Sequence, residues 1–432
     1  MARELSRSQK LEERETQAPC CRSTNNSIPN LWEAVKFWLT VGHFREGFRH
    51  GLSNPSSRRF GQLERLLCTQ GSRPRSEAQT RVRRNIRPCY AGFVSPTVPT
   101  VNPEKPALPT LWVDTSVIIK MTKVERGEAL QDIEVQRCTR LRDLVRGLVR
   151  NGKLLCPESD QEEEYVAQRL DDDVHRMFAS LSLGISMTHR LGIQDSHIFH
   201  GMKAYAKGSA TIDLPSSTYF HGDPVRRLEE VRHQRFFVSL GLTKSPEMVR
   251  RRAEAKAEVG RKWEELRLEF VAKKRTYEEQ LELELHGYWG GLRELVKKFY
   301  SNIAAGRHDF WDFMGAHGAL LYRTYWRELG GQPPDWDGVY KFFCSTHFTE
   351  LPLPFVSCRL NANLLTGNEA IAPGDPMDVE LLSVALPVAH FVLADRRMEL
   401  RIKQLSLDQK CKTAVYSMST IDGLFAELEK LK

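Results

Sequence analysis

Two apolar stretches near opposite ends of the organised chain each finish on an aspartate. Leu111-Trp112-Val113 runs straight into Asp114, and a longer run that opens after Asp378 closes at Asp395. The later run changes texture partway, reading first as a buried helix over 378–386 and then as a buried strand over 390–393. Apolar residues at Leu130, Ile133, Leu141, Leu144, Val145 and Leu148 keep helical register over 129–151, and Gly152 stops them. Strands are predicted at 111–113, 153–156, 390–393 and 413–416, with helices at 396–405 and 421–431. Strand alternating with helix is the grammar of a parallel sheet flanked by helices. Between these two α/β ends lies a helical, aromatic-rich middle. Pro246 starts a long helix predicted over 246–285, striped by Trp263, Leu266, Phe270, Tyr277, Leu281 and Leu285 and interrupted by Lys273. A second helical block is predicted over 286–330, ended by Gly330-Gly331, and a short helix over 339–344.

Charge divides the chain further. Residues 1–108 hold 18 Lys or Arg against nine Glu and no Asp, a net of +9, which accounts for the whole excess of +8 over 432 residues. Composition makes 1–107 a disordered or mis-assigned leader in preference to a basic arm for nucleic acid. One segment resists, since 28–48 spaces Leu31, Val35, Trp38, Leu39 and Phe44 as a helix does. The organised domain is then expected over 108–432. In 246–275 ten Lys or Arg stand against six Glu. Such a face suits a nucleic-acid groove, but i,i+4 ion pairs on a solvated bundle helix explain it more simply. The longest apolar run, 381–394, is too short for a bilayer, which takes about 18 residues, and it contains Pro387 and His390. No secretory signal opens the chain. Nine cysteines without a CxxC pair indicate neither a zinc site nor a disulfide framework, so a reduced cytoplasm is expected.

Carboxylates at the exits of buried strands are costly unless something positive binds them. A divalent metal is the natural occupant, and Mg²⁺ takes oxygen ligands while keeping several waters. Asp114, Asp378, Asp395 and one acid of the cluster 162–164 stand at strand exits or helix first turns, positions that converge on one sheet edge. Glu162 lies three residues after Ser159 and is the capping-box partner. Glu163 falls on the inward face with Val166 and Leu170, Glu164 on the flank. The run Asp171-Asp172-Asp173 reads as a solvated helix end, and Asp375 as a turn or cap residue first and a spare ligand second.

Four ordered stretches carry a family resemblance: Val113-Asp114-Thr115-Ser116-Val117-Ile118, Leu154-Leu155-Cys156-Pro157-x-Ser159 with a Glu following, Pro352-x-Pro354, and Asp378-x-x-x-Leu382-Ser383-x-x-Leu386-Pro387 continuing to Asp395-Arg396-Arg397-Met398. Together they resemble the PIN-like nucleases, in particular bacterial members with a helical insertion. The resemblance implies a three-layer α/β fold with a central, mostly parallel sheet, and an insertion at about 184–350. It also implies Mg²⁺- or Mn²⁺-dependent hydrolysis of phosphodiesters in RNA or single-stranded nucleic acid. By it, Asp114, Glu163, Asp378 and Asp395 are catalytic, and these four with Glu164 hold the metal. An endoribonuclease acting as a toxin or defence effector, with an antitoxin or other regulatory protein as partner, fits the family. Arg396 and Arg397 are expected to contact substrate phosphate. There is one departure: His390 stands where the family often has an acid. The competing reading is a nucleic-acid-binding protein with a degenerate site.

Overall fold

The computed structural model describes residues 98–161, 172–233, 246–307 and 310–432. Residues 1–97 of the expected leader, with the helical spacing read at 28–48, and the predicted acidic segment with Glu163 and Glu164 lie outside the described residues. Among the described residues the chain is mixed α/β, dominated by helices, with short parallel strands in two small sheets.

The order is β1 (Thr100–Pro103), β2 (Leu111–Val113), α1 (Thr115–Glu125), α2 (Asp132–Arg150), α3 (Asp172–Ser182), α4 (Arg190–Ala206), β3 (Thr211–Leu214) and α5 (Pro224–Val231). There follow α6 (Pro246–Ala272), α7 (Tyr277–Ala304), α8 (Phe310–Glu328), α9 (Trp336–Phe343), α10 (Pro352–Thr366), α11 (Asp375–Ala385), β4 (Phe391–Leu393), α12 (Arg396–Gln404), β5 (Ala414–Tyr416) and α13 (Ile421–Glu429).

The main sheet is parallel, in the order β2-β4-β5, with Val113 level with Leu393 and Leu393 level with Tyr416. The strand expected at 153–156 contracts to one bridge. Leu155 pairs in parallel beside Thr110, its carbonyl accepting from Leu111 N at 2.8 Å and its amide donating to Pro109 O at 2.9 Å. The three-residue strands alternate sides as a pleat requires. Leu111, Val113 and Leu393 enter one core with α1, α2, α3 and α13, while Trp112, Val392 and Val415 enter the other with α10, α11 and α12.

Two expectations are corrected here. The organised chain does not begin at 108. Thr100–Pro103 pairs in parallel with Thr211–Leu214, a strand inside the stretch read as mostly helical. Lys105, also in the supposed leader, donates from Nζ to Ala389 O, to Lys412 O at 2.8 Å and to Thr413 Oγ1 at 2.9 Å. It pins this segment to the entrances of β4 and β5. The long helix read over 246–285 is also two helices. Lys274 adopts φ +51°, and Thr276 caps α7 in a reciprocal capping box with Glu279. The Thr-x-x-Glu signal ends one helix and starts the next just after the Lys273 interruption of the apolar stripe.

Burial pushes the Lys105 ammonium down to about 8. Its folded value lies below the unfolded one, so between roughly pH 8 and 10.5 the unfolded chain binds more protons and stability rises with pH. Chemical denaturation should therefore show the wild type gaining stability over Lys105→Met between pH 8 and 10. A gap that is constant or shrinks over that interval counts against this role.

Candidate functional site

The carboxyl ends of β2 and β4 lie side by side, and the helices that follow them leave for opposite cores. Buried residues of α1 join the core below Leu393, whereas Met398 and Ile402 of α12 join the core around Val392. Neighbouring strands stand about 4.8 Å apart, and a crevice opens where their connections diverge. Asp114 and Asp395 emerge at that crevice.

Each aspartate is also a helix N-cap in extended conformation. Asp114 Oδ1 accepts from Ser116 N at 2.7 Å, while its own amide still donates to Leu393 O at 2.9 Å. Asp395 Oδ1 accepts from Arg397 N at 2.6 Å and Met398 N at 3.0 Å. Two helix N-termini therefore direct their positive ends at one crevice, which favours negative charge there. Asp114 is 5% exposed.

Helix α11 brings further acids to the same edge. Asp375, its first residue, is 4% exposed and accepts from Ala372 N at 2.8 Å. Burial raises its carboxyl above the ordinary range. The Ala372 bond and the charges of Arg397 and Arg401 oppose that rise, and the negative charge of nearby Asp395 adds to it. Asp378 follows one turn along on the same helix face, half-buried. Two residues on, Glu380 forms an ion pair with the buried guanidinium of Arg190 at the start of α4. Arg190 N donates to Asp160 Oδ2 at 2.9 Å. The adjacent Gln161, 1% exposed, donates from Nε2 to Val113 O, the last carbonyl of β2. A closed circuit of contacts thus runs from β2 through Gln161, Asp160, Arg190 and Glu380 to α11, and back through Asp375 and Arg397 to the exit of β4.

Of the residues expected in a site, Asp114 and Asp395 stand at neighbouring strand exits, and Asp378 lies one helical turn beyond Asp375, the acid whose charge environment includes Asp395. Glu163 and Glu164 lie outside the described residues. The two arginines divide. Arg396 is exposed at the first turn of α12. Arg397 is engaged within the chain, donating to Ala370 O at 2.8 Å and lying 3.4 Å from Asp375 Oδ2 and 3.6 Å from Glu369 Oε2. Asp160, Gln161, Arg190 and Glu380 were missed. The first two come five and six residues after Leu155, beyond the turn at Pro157, so no strand-exit signal marks them. Nothing in the local sequence marks Arg190 or Glu380.

His390 stands apart from the crevice. Its Nδ1 accepts from Thr110 N at 3.1 Å at the amino end of β4, so about 16 Å of extended chain separates it from Asp395. Burial first, and then the Lys105 charge, lower its proton affinity and favour the neutral ring. The departure at 390 therefore falls at the opposite edge of the sheet.

Among the described residues, no three His, Cys, Asp or Glu side chains gather closely enough to hold a metal ion. The donors at the crevice are all carboxylate oxygens, which suits Mg²⁺ or Mn²⁺ bound partly through water and does not suit a thiophilic metal. Asp114 and Asp395, at the exits of neighbouring strands, are the described residues that would contribute. The basic stripe of α6 is spent on internal pairs. Glu247 binds Arg250 and Arg251, Glu258 binds Arg261 and Lys262, Glu264 binds Arg267, and Glu269 binds Lys273. No helix among the described residues is long and apolar enough to cross a membrane. Comparison with protein-family models, curated proteins and solved structures returns no match.

Proposed function

We propose that this chain is a metal-dependent nuclease of the PIN-like kind that hydrolyses phosphodiester bonds, with RNA as its substrate. The observation that carries the reading is the placement of Asp114 and Asp395 at neighbouring parallel strand exits, with Asp375 of α11 close to Asp395. Cleaving a phosphodiester requires neutralised phosphate charge and an activated water, and a bound Mg²⁺ or Mn²⁺ supplies both. The chain's part is to present oxygen ligands in a fixed array. Asp114 and Asp395 are locked by their own helix caps, and Asp375 and Asp378 are held on one face of α11. Arg396, exposed beside Asp395, is available to a substrate phosphate, whereas Arg397 acts inside the protein to hold the 369–375 turn.

A second reading is nucleic-acid binding at a degenerate site, without cleavage. Incubation of the purified chain with labelled single-stranded RNA, with and without Mn²⁺, separates the two. The nuclease reading expects Mn²⁺-dependent cleavage that EDTA stops. Salt-sensitive binding with no cleavage at any Mg²⁺ or Mn²⁺ concentration would establish the second reading instead.

A further inference from the structure

The turn over 367–374 delivers Asp375 and Asp378 to the crevice, and it is gripped from the side by α6. Glu264 Oε2 accepts from Ile371 N at 2.8 Å. Arg267, 6% exposed, makes a two-pronged pair with Glu264 at 2.8 and 2.6 Å and donates from Nη1 to Gly367 O at 3.1 Å. One turn earlier on α6, Gly260 lies so close to the turn that a Cβ there would stand 2.7 Å from Pro373 Cα. On its other side the turn meets α12. Arg397 binds Ala370 O, and Arg401 binds Glu369 and Asn363 at 2.8 and 2.6 Å.

A turn of eight residues with no strand or helix of its own would otherwise be among the loosest parts of a fold. Here both backbone polarities are met by one ion pair whose guanidinium is buried: Ile371 N by the carboxylate and Gly367 O by the guanidinium. Arg267 left alone would be an uncompensated buried charge. The helical segment thus does more than add bulk beside the sheet.

We propose that Gly260, Glu264 and Arg267 of α6 are positioning residues for the acidic turn, setting where Asp375 and Asp378 stand relative to Asp395. This rests on the nuclease reading above and assigns the inserted helices a part in that site. None of the three touches the crevice, so their effect passes through the 367–374 backbone.

The test pairs hydrogen exchange with metal binding in the full chain. In Glu264→Ala, the amides of Ile371 and Ala372 should exchange at least tenfold faster while α6 and the β2-β4 ladder keep their protection. Mn²⁺ affinity, measured by titration calorimetry with the metal alone, should fall about tenfold. Gly260→Ala reaches the same turn by a different route and should give the same pair of changes. Unchanged protection at Ile371 and Ala372 in both variants would overturn the proposal. So would faster exchange with Mn²⁺ affinity and Mn²⁺-dependent cleavage at wild-type levels, because the turn would then be loosened without consequence. Wild-type protein that cleaves no RNA fails the nuclease reading, yet the exchange measurement still decides whether α6 holds the turn.

Discussion

Asp114→Asn should remove Mn²⁺-dependent RNA cleavage, by a hundredfold or more, with little change in thermal stability. The two effects separate because Asp114 serves two ends. Its Oδ1 caps α1 through Ser116 N, and asparagine caps a helix about as well as aspartate does. What asparagine lacks is the charge. Losing it beside a helix N-terminus costs roughly 0.5 kcal/mol of dipole interaction, a small part of the stability of a domain. The same lost charge deprives a divalent cation of an anionic ligand, and even outer contacts to such ions are worth about ten- to a hundredfold. Asp114→Ala forfeits the cap as well, so it should lose about a further 1 kcal/mol and confound the result. Asp395→Asn should behave as Asp114→Asn does, since its cap bonds to Arg397 and Met398 also survive the change. Cleavage kinetics and melting curves of these variants decide the matter. Full cleavage in a folded Asp114→Asn protein would remove this aspartate from any catalytic role.

The largest loss of stability is expected from Trp112→Ala, about 4 kcal/mol by denaturant titration. Trp112 is the middle residue of β2, 1% exposed, with its ring in the core shared with α10 and α11. Its Nε1 donates to Ser159 Oγ at 3.1 Å, the residue just before Asp160 and Gln161. Alanine leaves a void where the core is close-packed and strands the Ser159 hydroxyl, so a transfer loss and a cavity loss add. Trp112→Phe keeps most of the volume and should cost well under half as much. Equal destabilisation by alanine and phenylalanine would shift the main contribution from packing to the Ser159 hydrogen bond.

Much of the α/β scaffold was legible locally. Helices read over 129–151, 378–386, 396–405 and 421–431 correspond to α2, α11, α12 and α13, each with bounds moved by a few residues. Strands read at 111–113, 390–393 and 413–416 correspond to β2, β4 and β5. All are short apolar runs with clear punctuation, which is the condition for local reading to succeed. The strand at 153–156 shrank to the Leu155 bridge because pairing, unlike hydrophobicity, needs a partner at matching height. The pair β1 and β3 escaped because their strands alternate exposed and covered positions in a polar context. Their 111-residue separation, from Asn102 to Asp213, leaves no local trace. The acids at 114, 378 and 395 could be picked out because a carboxylate beside an apolar run is conspicuous. Asp160, Arg190 and Glu380 could not be linked from sequence, since each becomes meaningful only against residues far along the chain.

By itself, then, the sequence determined which short segments must be buried and which acids would end beside them. Periodicity and helix caps are written within a few residues of one another. Only the tertiary structure decided that β2 lies against β4 in parallel, that Arg190 meets Glu380, and that α6 grips the turn ahead of Asp375. Those contacts depend on strand order and on packing between segments more than a hundred residues apart. Neither propensity nor spacing along the chain encodes such pairings.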